Sequence, residues 1–167
     1  KKMNRKWLRK TLVLSTLSGV RLWHSSGATN DQLVFNLSRD RALSPAAAKA
    51  LAAIDRANFV PPDAQRLAYE DRPLPIGNGV TISAPHMHAA AIELLLPQLQ
   101  RPDSTVLDVG VGSGYLAAAF AQIVGPSARV YGIDRLPELV QLASANLNRQ
   151  DPALLTAGGG TPFPSDC

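Results

Sequence analysis

The sequence is poor in cysteine and in long apolar runs. Its single cysteine, Cys167, stands at the end of the 167-residue chain and excludes an internal disulfide framework. The apolar stretch at residues 12–20 is shorter than the roughly twenty residues that a membrane-spanning helix requires. We therefore expect no stable membrane insertion. A hydrophobic fraction of 46% predicts a globular domain with a sizeable core.

Acidic residues are absent from the start of the chain. The first acid is Asp31, whereas seven of the seventeen lysines and arginines lie in residues 1–21. From residue 22 onward, thirteen acids outnumber ten bases, so the overall charge of +4 belongs to the N-terminal segment. The rest of the chain lacks the basic surface that nucleic-acid binding requires, and we expect no nucleic-acid partner.

Residues 1–22 are interpreted as a basic N-terminal extension or targeting segment. Residues 12–20 resemble the apolar region of a secretory signal. The acid-free mixture of Arg, Lys, Ser and Thr is also typical of an organelle transit peptide, and a solvated extension is the third interpretation. We expect a cytoplasmic protein, with a mitochondrial or other organellar location as the alternative.

Three helices are predicted before the first strand pattern, "STVLDVG". "NDQLVFNLSRD" has helical spacing, with Asn30 or Asp31 as its cap. "SPAAAKALAAIDRANFV" begins with Ser44 as a cap and Pro45 in the first position, and the Pro-Pro pair at residues 61–62 ends it.

The third predicted helix is "SAPHMHAAAIELLLPQL", with Ser83 as the cap and Pro85 in the first turn. We expect Glu93 in solvent. The apolar face that we expect consists of Met87, Ala91, Leu94 and Leu95. The preceding "AYEDRPLPIGNGVTI" predicts a loop or short strands.

The second half alternates between strand and helix patterns. "STVLDVG" and "ARVYGID" are short apolar runs typical of strands that are buried on both faces. Each precedes a helical pattern, "YLAAAFAQIVG", which ends at Gly125, and "LPELVQLASANLNRQ". This order predicts parallel strands in an α/β fold, with Tyr115 and Phe120 in the core. No regular element is expected after Asp151.

A glycine loop, "DVGVGSG", joins the first of these strands to its helix. Gly110, Gly112 and Gly114 allow a tight turn and a close approach to a ligand, and the helix start presents free N–H groups. Asp134 ends the next strand, where a carboxylate can accept hydrogen bonds from a ribose.

Spacing alone leaves three interpretations of this loop. Gly112, Gly114 and Ala117 satisfy the dinucleotide fingerprint of nicotinamide or flavin enzymes. With Asp108, the same loop matches the DxGxGxG motif of class I S-adenosylmethionine methyltransferases. A glycine turn that binds nothing is the third. Asp108 favours the methyltransferase, since a carboxylate suits a sulfonium and an ammonium group better than a diphosphate.

Longer stretches resemble one family. "IGNGVTISAPHMHAAAIELL", "VLDVGVGSGYLAAAFAQIVG" and "GIDRLPELVQLASANL" are similar to protein-L-isoaspartate O-methyltransferases, as are "LAAIDRANFVPP" and "AYEDRPLPIG". The similarity covers residues 23–155, and "TISAPHMH" is its most specific part. The resemblance implies a Rossmann-like, doubly wound sheet of the class I S-adenosylmethionine-dependent methyltransferases.

The resemblance also implies residue roles. Ser83 corresponds to the active-site serine beside the substrate carboxylate. The positions that the resemblance places at S-adenosyl-L-methionine are Val80, Thr81, Ile82, His88, Asp108, Gly110, Gly112, Ser113, Gly114, Asp134 and Arg135. No metal site is expected, since histidines two residues apart on a helix, His86 and His88, point to different faces. His86 is expected to satisfy backbone groups near the helix start.

The implied function is methyl transfer from S-adenosyl-L-methionine to L-isoaspartyl carboxylates in damaged proteins, by a monomer. Such a carboxylate is already ionised at pH 7, so alignment matters more than a strong base. The family's domain continues past the point where this chain diverges, and residues 156–167 are interpreted as an irregular tail. We therefore expect missing C-terminal strands, exposed apolar surface at residues 106–109 and 130–133, and a poorly folded or inactive chain. A non-catalytic truncated variant and an NAD-dependent oxidoreductase are the alternatives.

Overall fold

A computed structural model describes residues 25–124 and 127–156. The α-helices in these residues are Asn30–Arg41 (α1), Pro45–Ala53 (α2), Pro85–Leu99 (α3), Tyr115–Ala121 (α4), Pro137–Gln150 (α5) and Ala153–Thr156 (α6). The strands are Leu74–Gly77 (β1), Val80–Ile82 (β2), Thr105–Val109 (β3) and Arg129–Ile133 (β4). Two 3₁₀ helices, Arg56–Phe59 and Pro62–Leu67, connect α2 to β1. None of the described helices is long and apolar enough to cross a membrane.

The predicted strand–helix–strand unit is present in β3, α4 and β4. The two strands pair in parallel, from Thr105 opposite Arg129 to Val109 opposite Ile133. Parallel strands end at the same edge of a sheet, so the glycine loop after β3 lies beside the segment after β4. The amide N–H groups of Gly110 and Val111 both donate to the Ile133 carbonyl, at 2.8 and 3.0 Å, and fix this arrangement.

The expectation that β3 is buried on both faces is wrong for the described residues. Leu107 is 56% exposed and Val109 73% exposed. Val106 and Asp108, which alternate with them, are half-buried, and Val106 packs against the helical core. The core thus covers one face of this strand. The exposure agrees with the expected apolar surface at residues 106–109.

The first two helices differ from the prediction at their ends. Thr29, not Asn30 or Asp31, caps α1, and its side chain accepts from the Gln32 amide at 3.2 Å. Ser44 caps α2 as predicted, with Pro45 in the first helical position. This helix ends at Ala53 rather than at the later prolines, because Ile54 takes an extended conformation and a 3₁₀ helix capped by Asp55 follows.

The third helix is present and has Pro85 in its first turn, as predicted, but its cap and its buried face differ from the prediction. Its N-cap residue is Ala84, not Ser83, and this residue provides no side-chain hydrogen bond. The inward face carries His88, Ala89, Ile92 and Leu99. The predicted apolar face points largely outward, and its exposed members are Met87, Leu94 and Leu95.

Glu93 was expected in solvent, and the structure gives it a specific partner. Its carboxylate accepts from the Ser44 amide at 2.6 Å and from the Ser44 hydroxyl at 2.8 Å. Glu93 therefore joins α3 to the start of α2. The two residues are too far apart in sequence for local spacing to indicate the contact.

A short hairpin leads into α3. β1 and β2 pair antiparallel, with Leu74 opposite Ile82. Asn78 and Gly79 form the turn, with positive φ angles of 48° and 72°. Asn-Gly is the preferred pair for such turns, because both residues tolerate this conformation. The hairpin ends at Ile82 and delivers Ser83 to the start of the helix.

The C-terminal segments also correct the prediction. α4 ends at Ala121, where the Gln122 and Ile123 amides donate to carbonyls three residues earlier, those of Ala119 and Phe120. The predicted end, Gly125, lies outside the described residues. After Asp151 the one-turn helix α6 forms where no element was expected, and the Asp151 carboxylate accepts from the Ala153 amide at 2.9 Å. The segment predicted at residues 1–22 lies outside the described residues, as does the predicted tail at 156–167 except Thr156, which ends α6.

Candidate functional site

A crevice lies where β2 meets α3 and where β3 and β4 end. Two cavities form it, of about 240 and 730 Å³, and they share Thr81, Gly110 and Gly112. In open α/β sheets, ligands bind beyond the carboxyl ends of the strands. The crevice is therefore the candidate site.

Most of the residues predicted at the site line this crevice. The smaller cavity is lined by Thr81, Ile82, Ser83, His88, Asp108, Gly110, Gly112 and Ser113 among others. Val80, Asp134 and Arg135 line the larger cavity. Gly114 lines neither, and it instead begins α4. "TISAPHMH" and the glycine loop, distant in sequence, thus share one cavity, while the roles assigned to their residues remain predictions.

The glycine loop depends on backbone conformations that favour glycine. Gly110, Gly112 and Gly114 have φ angles of 83°, 52° and 84°. At Gly114 a Cβ would also lie 3.2 Å from the Ala143 Cβ of α5. Glycine there allows α4 to pack closely against α5, which keeps the loop at the crevice.

Asp134 lies against the glycine loop rather than free in solvent. One carboxylate oxygen accepts from the Gly112 amide at 3.1 Å, and the other accepts from the Leu136 amide at 3.3 Å. A carboxylate oxygen has two lone pairs, so each retains the capacity for a further hydrogen bond. The residue is therefore able to accept from a ligand hydroxyl while it anchors the loop.

Asp108 adds a second carboxylate to the crevice. Burial raises the pKa of Asp108, and the nearby Asp134 raises it further. Two carboxylates so placed repel a diphosphate and favour a cation. These carboxylates thus fit the positively charged end of S-adenosyl-L-methionine, and Asp134 is available to accept from its ribose.

The two histidines of "TISAPHMH" diverge, as predicted. The His86 ring Nδ1 lies 2.8 Å from the Asp71 carboxylate, and the His86 amide donates to the same oxygen at 2.9 Å. His86 therefore has a carboxylate partner, where only backbone groups were expected. Among the described residues, no group of three or more His, Cys, Asp or Glu side chains is placed to hold a metal ion.

His88 is buried and lines the smaller cavity. Its ring centroid lies 4.9 Å from that of Tyr115. Burial, with smaller effects from Arg56 and His86, lowers the pKa of His88 to about 3. His88 is therefore neutral near pH 7 and is too weak a base to remove a proton from a serine hydroxyl.

Sequence reasoning missed Arg56 and Asp71 and underestimated Tyr115. Arg56 is fully buried and donates to the Ser83 carbonyl at 2.8 Å. Asp71 is fully buried and bonds His86. Tyr115 is in the core, as predicted, but also lines the smaller cavity. A charged residue next to an apolar helix pattern, as in "LAAIDRANF", was the available signal for Arg56.

Comparisons with known proteins decide the family. The sequence model of the protein-L-isoaspartate(D-aspartate) O-methyltransferase family matches residues 28–161. The chain belongs to this family. Membership confirms the class I S-adenosylmethionine-dependent methyltransferase fold and decides against the nicotinamide alternative.

Relatives within the O-methyltransferase family come from distant organisms. The chain is 42% identical over 137 residues to the protein-L-isoaspartate O-methyltransferase of Caenorhabditis elegans, covering 81% of this chain and 59% of the relative. The Triticum aestivum enzyme is 49% identical, and the match covers 70% of this chain and 49% of the relative. The Aeropyrum pernix enzyme is 50% identical, and the match covers 60% of this chain and 38% of the relative. The chain thus spans about half the length of these relatives.

A solved O-methyltransferase structure has a similar fold. A Plasmodium falciparum protein assigned as a protein-L-isoaspartate O-methyltransferase superposes with a TM-score of 0.72 at 32% identity, covering 82% of this chain and 62% of the other. That structure is a complex with S-adenosyl-L-homocysteine. The likeness agrees with the α/β fold that the strand and helix patterns predicted.

Proposed function

We propose that this protein transfers a methyl group from S-adenosyl-L-methionine to the carboxylate of L-isoaspartyl residues in damaged proteins. The observation that carries the proposal is the meeting of Ser83 with the glycine loop and Asp108 in one cavity. Family membership supports the substrate class, and the complex of the Plasmodium falciparum relative supports the cofactor.

The cofactor end of the proposed site is the glycine loop with its two carboxylates. When bound, S-adenosyl-L-methionine supplies an electrophilic methyl group on a sulfonium. Asp134 accepts hydrogen bonds from the ribose, and Asp108 compensates positive charge. Val80, Thr81, Ile82 and His88 complete the pocket wall, with Ser113 in the loop and Arg135 beside Asp134.

The acceptor end is Ser83, at the start of α3. Its hydroxyl donates a hydrogen bond to the substrate carboxylate and orients one oxygen towards the methyl carbon. No proton has to move, because the carboxylate is ionised at pH 7. The neutral His88 fits this scheme, since no general base is needed. Orientation of this kind supplies up to about 7–11 kcal/mol of a barrier in favourable cases.

Radiolabelled methyl transfer tests the proposal. The purified protein is incubated with labelled S-adenosyl-L-methionine and an L-isoaspartyl peptide, with the L-aspartyl peptide of the same sequence as control. We expect labelling of the first peptide only. Equal labelling of both contradicts the substrate class. Calorimetric binding of S-adenosyl-L-homocysteine without any transfer would instead indicate the non-catalytic variant.

We further propose that the protein is monomeric and cytoplasmic. Light scattering of the eluting protein tests the monomer. Fluorescent fusions with and without the basic residues 1–22 test the location. An organellar signal that is lost when residues 1–22 are deleted would contradict the cytoplasmic location.

A further inference from the structure

We propose that Arg56 and Asp71 are positioning residues that hold residues 83–86, and with them the Ser83 hydroxyl, at the cavity. The inference rests on the proposed function in so far as it concerns turnover. Neither residue lines the two cavities described above, so each acts through the backbone of the segment that carries Ser83.

Arg56 approaches the segment from the 3₁₀ helix Arg56–Phe59. Its Nη2 donates to the Ser83 carbonyl at 2.8 Å and to the Arg72 carbonyl at 3.4 Å. The guanidinium carbon lies 5.4 Å from the centroid of the Tyr115 ring. Burial lowers the pKa of Arg56 to about 10, so it remains charged near pH 7. The charge strengthens its hydrogen bond to Ser83.

A fully buried arginine destabilises a fold unless its charge is compensated. Desolvation of a charge is strongly unfavourable unless hydrogen-bonding or charged partners compensate for it. Arg56 Nε and Nη1 make no hydrogen bond to the described part of the chain. The described hydrogen bonds of the guanidinium all go through Nη2, to the carbonyls of Ser83 and Arg72. The shorter of these hydrogen bonds, to Ser83, links the charge to the backbone of residues 83–86.

Asp71 holds the other end of the segment. The N-cap residue of α3, Ala84, has no side chain that caps the helix. Asp71 replaces the missing cap, since its Oδ1 accepts from the His86 amide at 2.9 Å and contacts His86 Nδ1 at 2.8 Å. A carboxylate at a helix start also interacts favourably with the helix dipole. The Asp71 amide is itself fixed by a 2.9 Å bond to the Ser26 hydroxyl.

Both contacts fix the backbone that directly follows the Ser83 side chain. One fixes the carbonyl of Ser83, and the other fixes the amide three residues later, with Pro85 restricting the backbone between them. Ser83 itself is half-buried at the cavity wall. Displacement of a reacting group by about 1 Å lowers a rate by about 100-fold, so loss of either contact should reduce turnover.

Two variants test the proposal, Arg56→Lys and Asp71→Asn. Their matched controls are Arg66→Lys and Asp63→Asn, at exposed positions of the other 3₁₀ helix. Hydrogen exchange comes first, because it does not depend on activity. We expect the amides of His86, Met87 and His88 to exchange faster in both test variants, while the rest of α3 and both controls stay unchanged. Unchanged exchange at these amides, or equal acceleration along all of α3, would overturn the proposal.

Methyl transfer then separates positioning from a general loss of stability. We expect kcat to fall about 10- to 100-fold in Arg56→Lys and about tenfold in Asp71→Asn, with little change in S-adenosyl-L-homocysteine affinity. Combined with Ser83→Ala, Arg56→Lys should cause little further loss, because both changes remove the same oriented hydroxyl. Losses that multiply would contradict the proposal. If the unmodified protein transfers no methyl group, the proposed function fails, and hydrogen exchange still decides the positioning role.

Discussion

The carboxylate of Asp134 accepts a hydrogen bond from the amide of Gly112 at 3.1 Å. This contact joins the segment after β4 to the glycine loop after β3. A ligand that uses Asp134 therefore meets an acceptor whose position is set by the loop itself. Cofactor affinity and loop geometry should depend on the same side chain.

Replacement of Asp134 by alanine should weaken cofactor binding. A charge-assisted hydrogen bond contributes about 1.5–3 kcal/mol, which corresponds to about a 10- to 150-fold loss of affinity. Calorimetric titration with S-adenosyl-L-homocysteine measures this, with the exposed Asp103→Ala as control. An unchanged dissociation constant would remove Asp134 from the site.

Replacement of Ser83 by alanine should lower turnover more than cofactor affinity. The hydroxyl is proposed to contact the methyl acceptor rather than the cofactor, so kcat should fall about tenfold or more. Initial rates at saturating cofactor, combined with calorimetry, separate the two effects. The control is Ser144→Ala, where the hydroxyl donates to the Val140 carbonyl of its own helix at 3.0 Å. Loss of cofactor binding with normal kcat would show that Ser83 is a cofactor contact.

Two loop glycines should differ in their tolerance of alanine. Both Gly110 and Gly114 have φ angles near 84°, so alanine is strained by about 1–2 kcal/mol at either position. At Gly114 the added Cβ also meets Ala143 Cβ at 3.2 Å, whereas at Gly110 it meets open space. Urea denaturation should therefore show a larger loss of unfolding free energy in Gly114→Ala than in Gly110→Ala. Equal losses would mean that packing against α5 is unimportant there.

His88 should make stability depend on pH. Burial lowers the pKa of His88 to about 3, whereas an unfolded histidine has a pKa of about 6.5. As pH falls below about 6.5, the unfolded chain binds a proton that the folded chain does not. The free energy of unfolding should fall by up to about 1.4 kcal/mol per pH unit down to about pH 3. Denaturation should be measured at about pH 7 and about pH 5. The loss of unfolding free energy between these pH values should be smaller in His88→Gln than in the unmodified protein. Equal losses would contradict the burial of a neutral ring.

The sequence predicted best the features that depend on neighbouring residues. The glycine loop lies in one continuous motif between a strand and a helix, and the next strand brings Asp134 to the same edge. Ser44 followed by Pro45 marks the start of α2 correctly, because capping is local. The choice of Asn30 or Asp31 over Thr29 was wrong by one or two positions, since all three side chains are able to cap a helix.

Features that depend on distant residues were missed. Arg56 contacts Ser83 across 27 positions, and Ser44 contacts Glu93 across 49. Composition and periodicity carry no information on such pairs. An apolar run indicates a strand, but not how many neighbours cover it, so the expected burial of β3 on both faces was wrong. The exposure expected from missing neighbouring strands is present at Leu107 and Val109. Tertiary packing alone decides which charges become buried.

The most direct measurement is internal competition between two peptides that differ only in one L-isoaspartyl or L-aspartyl linkage. Both are incubated with the protein and S-adenosyl-L-methionine in one vessel, and mass spectrometry follows the added methyl group on each. We predict a methyl ester on the carboxylate of the isoaspartyl residue alone, formed by the unmodified protein and strongly reduced in Ser83→Ala. Equal modification of both peptides, or modification of the isoaspartyl peptide that is insensitive to Ser83→Ala, would contradict the proposed site.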